Sequence, residues 1–219
     1  MTYLLFIDDA DDAVCYHKDR LISMTCATDG ELLLSFEGGS GIERDPLLVD
    51  NVTLTITADS ERSIMEVIIK IMKDRDFVVI ADDVKKAAST TITITDYTEL
   101  NAGDKVNLVA TDTTNYDFEQ GDQSSVAGTF EATTSNEQTA TNLMNVINTS
   151  SGPSGSRFTA TVDGAIVTAT QATGGVAGNT VVTITESGGS GMSARDFLSG
   201  TEGDYIDSRI TACAIALGS

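Results

Sequence analysis

Arg157-Phe-Thr-Ala-Thr-Val162, Asp163-Gly164 and Ala165-Ile-Val-Thr-Ala-Thr170 read as two alternating strands joined by a two-residue turn. Threonine, valine and isoleucine at alternate positions suit a pleated, half-buried surface, and Asp-Gly suits the positive torsions of a type I′ turn. The stretch predicts a β-hairpin, and its neighbours continue the pattern. Upstream, Ser135-Asn-Glu-Gln138 is a capping box, with Ala140, Leu143, Met144 and Ile147 forming one helical stripe and Gly152-Pro153 ending the helix. Downstream, the loop Gly174-Gly-Val-Ala-Gly178 leads to a strand, Thr180-Val-Val-Thr-Ile-Thr185. Thr90–Thr95, Lys105–Ala110 and Thr129–Thr133 read as earlier strands of the same part.

The first part of the chain repeats this order in a different vocabulary. Tyr3-Leu-Leu-Phe-Ile7, Leu21–Cys26 and Glu31–Phe36 read as strands, the last two separated by a turn at Asp29-Gly30. Val52-Thr-Leu-Thr-Ile-Thr57 alternates, with Val52, Leu54 and Ile56 on one face. Asp59 or Ser60 caps a helix carrying Ile64, Val67, Ile68 and Ile71 on one side and a Glu66–Lys70 pair on the other. Phe77-Val-Val-Ile80 is a fully apolar strand. The expected fold class is α+β and sheet-dominated: two small β-rich domains, each with one main helix.

Composition shifts along the chain. Met1 to about Ala88 is apolar-rich and holds most of the cations. From Ser89 to Gly203 the chain is rich in Thr, Gly, Ser and Asn, with only Lys105, Arg157 and Arg195 as cations. Tyr205–Leu217 returns to the style of the first part. The 219 residues carry 13 basic and 33 acidic side chains, a net charge of −20. Nucleic-acid affinity depends on Lys and Arg displacing condensed counterions, so this surface argues against a DNA or RNA partner and against an anionic membrane. Strong salt screens the repulsion between copies, which makes an acidic subunit that assembles in brine reasonable. Tyr3–Ile7 has no basic start and runs straight into Asp8 and Asp9, unlike a secretion signal. Three cysteines, Cys15, Cys26 and Cys213, argue against a disulfide framework and for synthesis in a reducing cytoplasm.

Phe158-Thr-Ala-Thr-Val-Asp-Gly164 followed by Val167-Thr-Ala-Thr-Gln-Ala-Thr-Gly-Gly-Val-Ala-Gly-Asn-Thr180 resembles a module recurrent in structural proteins of tailed bacteriophages. In that module a helix resembling Asn136–Asn148 comes first, and a segment resembling Ser187-Gly-Gly-Ser-Gly191 comes last. Asp8-Asp9-Ala10, Val52–Thr57 and Val78-Val-Ile-Ala-Asp-Asp-Val84 look like short virion proteins of marine phages, notably cyanophages. The resemblance implies a virion component in which residues 89–203 are an inserted module and residues 1–88 with 204–219 form one base domain.

The remaining constellations carry no reaction. Asp8-Asp9-Ala10-Asp11-Asp12 lacks the mid-loop glycine and terminal glutamate of a calcium loop and reads as a solvated acidic turn, as does Asp82-Asp83. Cys15 and His17 share one face if they lie on a strand, but a structural zinc site needs four ligands, and only folding could bring Cys26 and Cys213 to them. No Gly-x-Ser-x-Gly elbow accompanies His17, the lone histidine. Gly38-Gly-Ser-Gly41, Gly174–Gly178 and Gly188-Gly-Ser-Gly191 lack the Lys-Ser/Thr ending of a phosphate loop. Asn51-Val52-Thr53 and Asn148-Thr149-Ser150 match the glycosylation pattern by chance.

No residue is assigned a catalytic, cofactor-binding or metal-ligating role, and no cofactor is expected. The expected function is non-enzymatic: a capsid decoration or cement protein on the outer virion surface, made in the host cytoplasm. Its expected partners are the major capsid protein and its own copies, in a homo-oligomer. A tail-tube or neck subunit and a surface adhesin or carbohydrate-binding module are the alternatives. The absence of Trp counts against the adhesin.

Overall fold

A computed structural model describes residues 2–26, 28–38, 49–124, 128–149 and 157–217. Its first elements are Tyr3–Asp9 (β1), Asp12–His17 (β2), Leu21–Thr25 (β3), Glu31–Glu37 (β4), Val49–Ile56 (β5), the helix Glu61–Asp74 (α1) and Phe77–Asp82 (β6). Then come Ser89–Ile94 (β7), Lys105–Val109 (β8), Asn115–Gln120 (β9), Thr129–Phe130 (β10) and the helix Asn136–Asn148 (α2). Phe158–Asp163 (β11), Ile166–Gln171 (β12), Val182–Thr185 (β13), Met192–Ala194 (β14), Asp204–Tyr205 (β15) and Ile210–Ala216 (β16) complete the order. The protein is sheet-dominated, with two α-helices and four four-stranded sheets among the described residues. It divides into two units, one ending at Val84 and resuming at Gly203, the other spanning Lys85–Glu202.

The first unit holds sheet I, in the order β15-β6-β1-β2, and sheet II, β16-β5-β4-β3. β6 runs parallel to β1, and α1 lies between β5 and β6 in the chain. One core takes Leu4 and Phe6 from β1, Leu32, Leu34 and Phe36 from β4, Val52 and Leu54 from β5, and Ile64 and Ile68 from α1. Tyr16 stacks on Phe36 with ring centroids 4.1 Å apart. The helical stripe differs in detail from the sequence reading. Met65, Ile71 and Met72 pack beside Ile64 and Ile68, whereas Val67 is not part of the core. Glu66 pairs with Arg62 at 3.1 Å, one turn back, and not with Lys70. Ser60 occupies the cap position, but its hydroxyl donates to the Thr57 carbonyl instead of accepting from the helix.

The second unit holds sheet III, β11-β12-β7-β14, and sheet IV, β10-β9-β8-β13. Phe118, Phe130, Phe158 and Phe197 share its core with Leu143 and Ile147 of α2. Ser135 caps α2 as expected, accepting from the Gln138 amide at 3.2 Å, while the Gln138 side chain turns to Asn142. The Gly152-Pro153 stop and Ser150 lie outside the described residues. The β11–β12 hairpin forms, but Asp163 pairs with Ile166, so the turn residues are Gly164 and Ala165. Only Gly164 of these takes positive φ, +57°, as at the first central position of a type II′ turn. Because the partner shifts by two positions, every side chain keeps its expected face. Thr129–Thr133 contributes only the two residues of β10.

Both units share an order of strands, helix and strands but not a topology. β6 lies parallel beside the first strand of its unit, whereas β11 and β12 form an antiparallel hairpin and β12 lies antiparallel beside β7.

Candidate assembly surface

Alternation along β1 sends Leu4 and Phe6 into the core and Tyr3, Leu5 and Ile7 to the opposite face of sheet I. Register completes that face. Tyr3 stands between His17 and Phe77, Leu5 between Cys15 and Val79, and Ile7 between Ala13 and Asp82. The outward surface is therefore apolar except at its ends, with Tyr3 41% and Phe77 55% exposed.

The other three sheets, among the described residues, face outward mostly with polar or small side chains, interrupted by exposed Ile22 and Val49 on sheet II and Ile166 on sheet III. Sheet II shows Ser23, Ser35, Asn51, Thr53 and Thr55, with Leu33 among them. Sheet III shows Thr91, Thr93, Thr159, Thr161, Thr168 and Thr170. Sheet IV shows Lys105, Asn107 and Asp117, joined by a 2.7 Å ion pair and a 2.8 Å hydrogen bond. Contiguous exposed apolar surface marks contact sites in soluble proteins, and sheet I carries such a face across β6, β1 and β2. The signal was present in the sequence: Tyr3–Ile7 and Phe77–Ile80 are apolar at every position, whereas Val52–Thr57, Thr90–Thr95 and Phe158–Val162 alternate.

Among the described residues, the edges of sheet I are also open. β6 pairs with β1 along its length but with β15 only at Ala81 and Asp82, and the Ile206 amide extends this by one bond to the Ile80 carbonyl at 3.1 Å. Beside the uncovered Phe77–Val79 edge lies a groove of about 390 Å³ lined by Ile71, Arg75, Phe77, Val79, Tyr205 and Ile206. β2 is the opposite edge strand.

The residues singled out in the sequence are placed as follows. Asp8–Asp12 forms the β1–β2 turn, where Asp9 Oδ1 accepts from the amides of Asp11 at 2.8 Å and Asp12 at 3.2 Å. Asp82 accepts from the Val84 amide at 3.0 Å, and Asp83 from the Cys213 amide at 2.8 Å. Cys15 and His17 share the outer face of β2, and His17 Nδ1 lies 3.4 Å from Asp19 Oδ2. Cys26 is exposed, whereas Cys213 is buried and its thiol donates to the Ile7 carbonyl at 3.4 Å. Burial, reinforced by the negative charges of Asp83 and Asp8, pushes the Cys213 thiol up to about 12. The four are not gathered: among the described residues, no three His, Cys, Asp or Glu side chains come together as a metal ion needs.

Gly174–Gly178 is a loop closed by Glu202, which accepts from the Val176 amide at 3.0 Å and meets Lys85 Nζ at 2.7 Å. A Cβ on Gly174 would stand 2.6 Å from the Lys85 carbonyl, so only glycine permits this approach. Gly188 and Gly189 lie against Asn101 and Glu99, while Gly39–Gly41 fall outside the described residues. Asn148, read as a chance glycosylation match, latches the end of α2 to β11. Its side chain donates to the Ala160 carbonyl at 2.7 Å and accepts from the Ala160 amide at 2.8 Å. Two residues that no sequence pattern marks out also hold the second unit. Asp104 accepts from the amides of Asn101 and Ser187, and buried Gln171 donates to the Val109 carbonyl at 2.9 Å.

Comparison of the chain with models of protein families, with curated proteins and with solved structures yields no match. Among the described residues, no helix is long and apolar enough to cross a membrane.

Proposed function

We propose that this chain is a non-enzymatic structural protein of a tailed-phage virion, a decoration or cement protein on the outer capsid surface. It binds the major capsid lattice and its own copies and stabilises the shell. One observation carries the reading: among the described residues, one sheet presents apolar side chains side by side across three strands, while the outer faces of the other three are mostly polar or small. Burying that face against neighbouring subunits is favourable by about 25 cal/mol per Å² of apolar area removed from water. The resemblance of residues 136–191 to a phage structural module supports the virion setting. The charge of −20 suits a surface facing water and not packaged DNA.

In this reading the first unit is the shell-binding and oligomerising part. Residues 85–202 are a module inserted into it, directed to the outside. The protein is made in the host cytoplasm, where its three free thiols stay reduced. A tail-tube or neck subunit is the second reading, favoured by the two open edges of sheet I, since strand addition joins successive copies of such rings.

Particle imaging tests both. Purified virions are probed with an antibody to this chain, and recombinant protein is co-sedimented with shells lacking it. The expected result is label over the outer capsid, saturable binding to bare shells, and shells that survive higher temperature once coated. Label confined to the tail replaces decoration with the second reading, and absence from mature particles removes both.

A further inference from the structure

Among the described residues, the outer edge of β2 lacks the protection that strand edges ordinarily carry. The bond from the Lys18 amide to the Thr2 carbonyl, 3.0 Å, fixes the phase of the β1–β2 ladder. Residues 14 and 16 then face β1, and Ala13, Cys15 and His17 direct their amides and carbonyls away from it. No described residue meets the groups of Ala13 and Cys15 or the His17 amide, while the His17 carbonyl opens the 3-10 turn Lys18–Arg20. The edge strand β16 shows the contrast. Its Cys213 amide is taken by Asp83 Oδ2 at 2.8 Å, and its Thr211 carbonyl by the Tyr205 hydroxyl at 2.9 Å. β2 has no such caps, no proline, and no charge between Ala13 and Tyr16. Ala13 and Cys15 are exposed.

We infer that β2 pairs antiparallel with β2 of a second copy across a two-fold axis through Cys15, joining the two copies of sheet I into one continuous sheet. This rests on the assembly role proposed above and names the partner of that same surface. The register follows from the outward groups. Centring on Cys15 sets Ala13 opposite His17 of the other copy and Cys15 opposite itself. All three outward residues of each copy are then matched, for about four backbone hydrogen bonds, or about six where the His17 carbonyl accepts on its second lone pair beside the 3-10 turn. A centre at residue 14 or 16 leaves part of the edge unmatched.

Charge selects the two-fold over head-to-tail addition. One end of sheet I carries Asp9, Asp11, Asp12, Asp82 and Asp204. The other end carries Lys18 and Arg20, which hold the Met72 and Gly38 carbonyls, with Asp19 between them and Arg75 and Asp76 just before β6. Adding β2 of one copy to β6 of the next, with strand sense continued, sets acidic end beside acidic end in a protein already at −20. The two-fold reverses one copy, so that Asp12 stands opposite Lys18 at both ends of the paired strands.

The test uses the isolated protein. Ala13→Pro removes an outward amide while leaving every bond to β1. Wild type is expected to show a concentration-dependent dimer by sedimentation velocity, and a short bis-maleimide is expected to join copies through Cys15 in a Cys26→Ser background. Ala13→Pro should be monomeric with an unchanged circular dichroism spectrum and melting temperature. Asp12→Lys and Lys18→Asp should each weaken the dimer roughly tenfold, and the double exchange should restore it. Wild type that stays monomeric into the millimolar range, or a dimer indifferent to Ala13→Pro and to the charge exchange, overturns the inference. The two proposals fail separately: a monomer still found on particles sinks only the two-fold, and a dimer absent from particles sinks only the virion assignment.

Discussion

Asp207 shows how a residue that looks like loop filler can anchor an element. Its carboxylate takes Arg209 Nε at 2.7 Å, a terminal guanidinium nitrogen at 2.6 Å, and the Arg209 amide at 3.0 Å. Arg209 also reaches the Ser63 hydroxyl of α1, tying the approach to β16 onto the helix. These donors favour the charged carboxylate and lower it from the usual 3.8 to about 2. A folded value below the unfolded one gives stability that is present in full above the unfolded value and lost as pH falls toward the folded one. The window is therefore about pH 4 to pH 2. Asp207→Asn should lower the melting temperature at pH 7, and the gap to wild type should close across that window. A gap that stays constant with pH would show that the pair does not stabilise the fold. Asp-Ser-Arg gives no hint of this in sequence, because the partner Ser63 is remote in the chain. Asn148 and Gln171 were illegible for the same reason: their polar side chains are matched by backbone groups that only the folded chain supplies.

At the scale of elements, periodicity was a good guide and its lapses have causes. α1 was readable because Ile64, Ile68 and Ile71 recur at helical spacing, and the first two are fully buried. Ile68→Ala should cost roughly 2–5 kcal/mol and leave a folded unit. Ile68→Asp puts an unpaired carboxylate into an apolar core and should abolish folding of the first unit, as read by circular dichroism. A cooperative melt near that of wild type would refute the packing described. β9, β14 and β15 were not legible. Asn115–Gln120 mixes Asn, Asp, Glu and Gln with two aromatics, and pairing with β8 overrides its weak local preference. β14 and β15 are only three and two residues long, too short for any period. β2 was hidden by its acidic start, which read as turn alone, although Ala13–His17 continues as strand. The apolar outer face of sheet I was legible in principle, as two strands without alternation. Recognising it as a face required the parallel β1–β6 pairing, which brings together Tyr3 and Phe77 from residues far apart in the chain.

For the whole molecule, the question is whether the second unit is a guest. Asp82 and Asp204 are direct partners in sheet I, so the first unit's chain breaks off and resumes at neighbouring positions. Within the second unit, Lys86 and Thr201 bridge, and Lys85 meets Glu202, so that unit's own ends also meet. Deleting residues 85–202 and joining Val84 to Gly203 should leave a soluble remnant with a cooperative thermal transition. A remnant without one would count against insertion.

The paired Asp82 and Asp204 have a consequence for the history of such chains. A host fold interrupted at a point where its two cut ends lie side by side is blind to what is spliced there, provided the passenger's termini also touch. Exchange of the passenger by recombination then leaves the host's own folding undisturbed. In the virion role proposed above, the outward-facing chemistry could then diverge while the part gripping its neighbours stays the same.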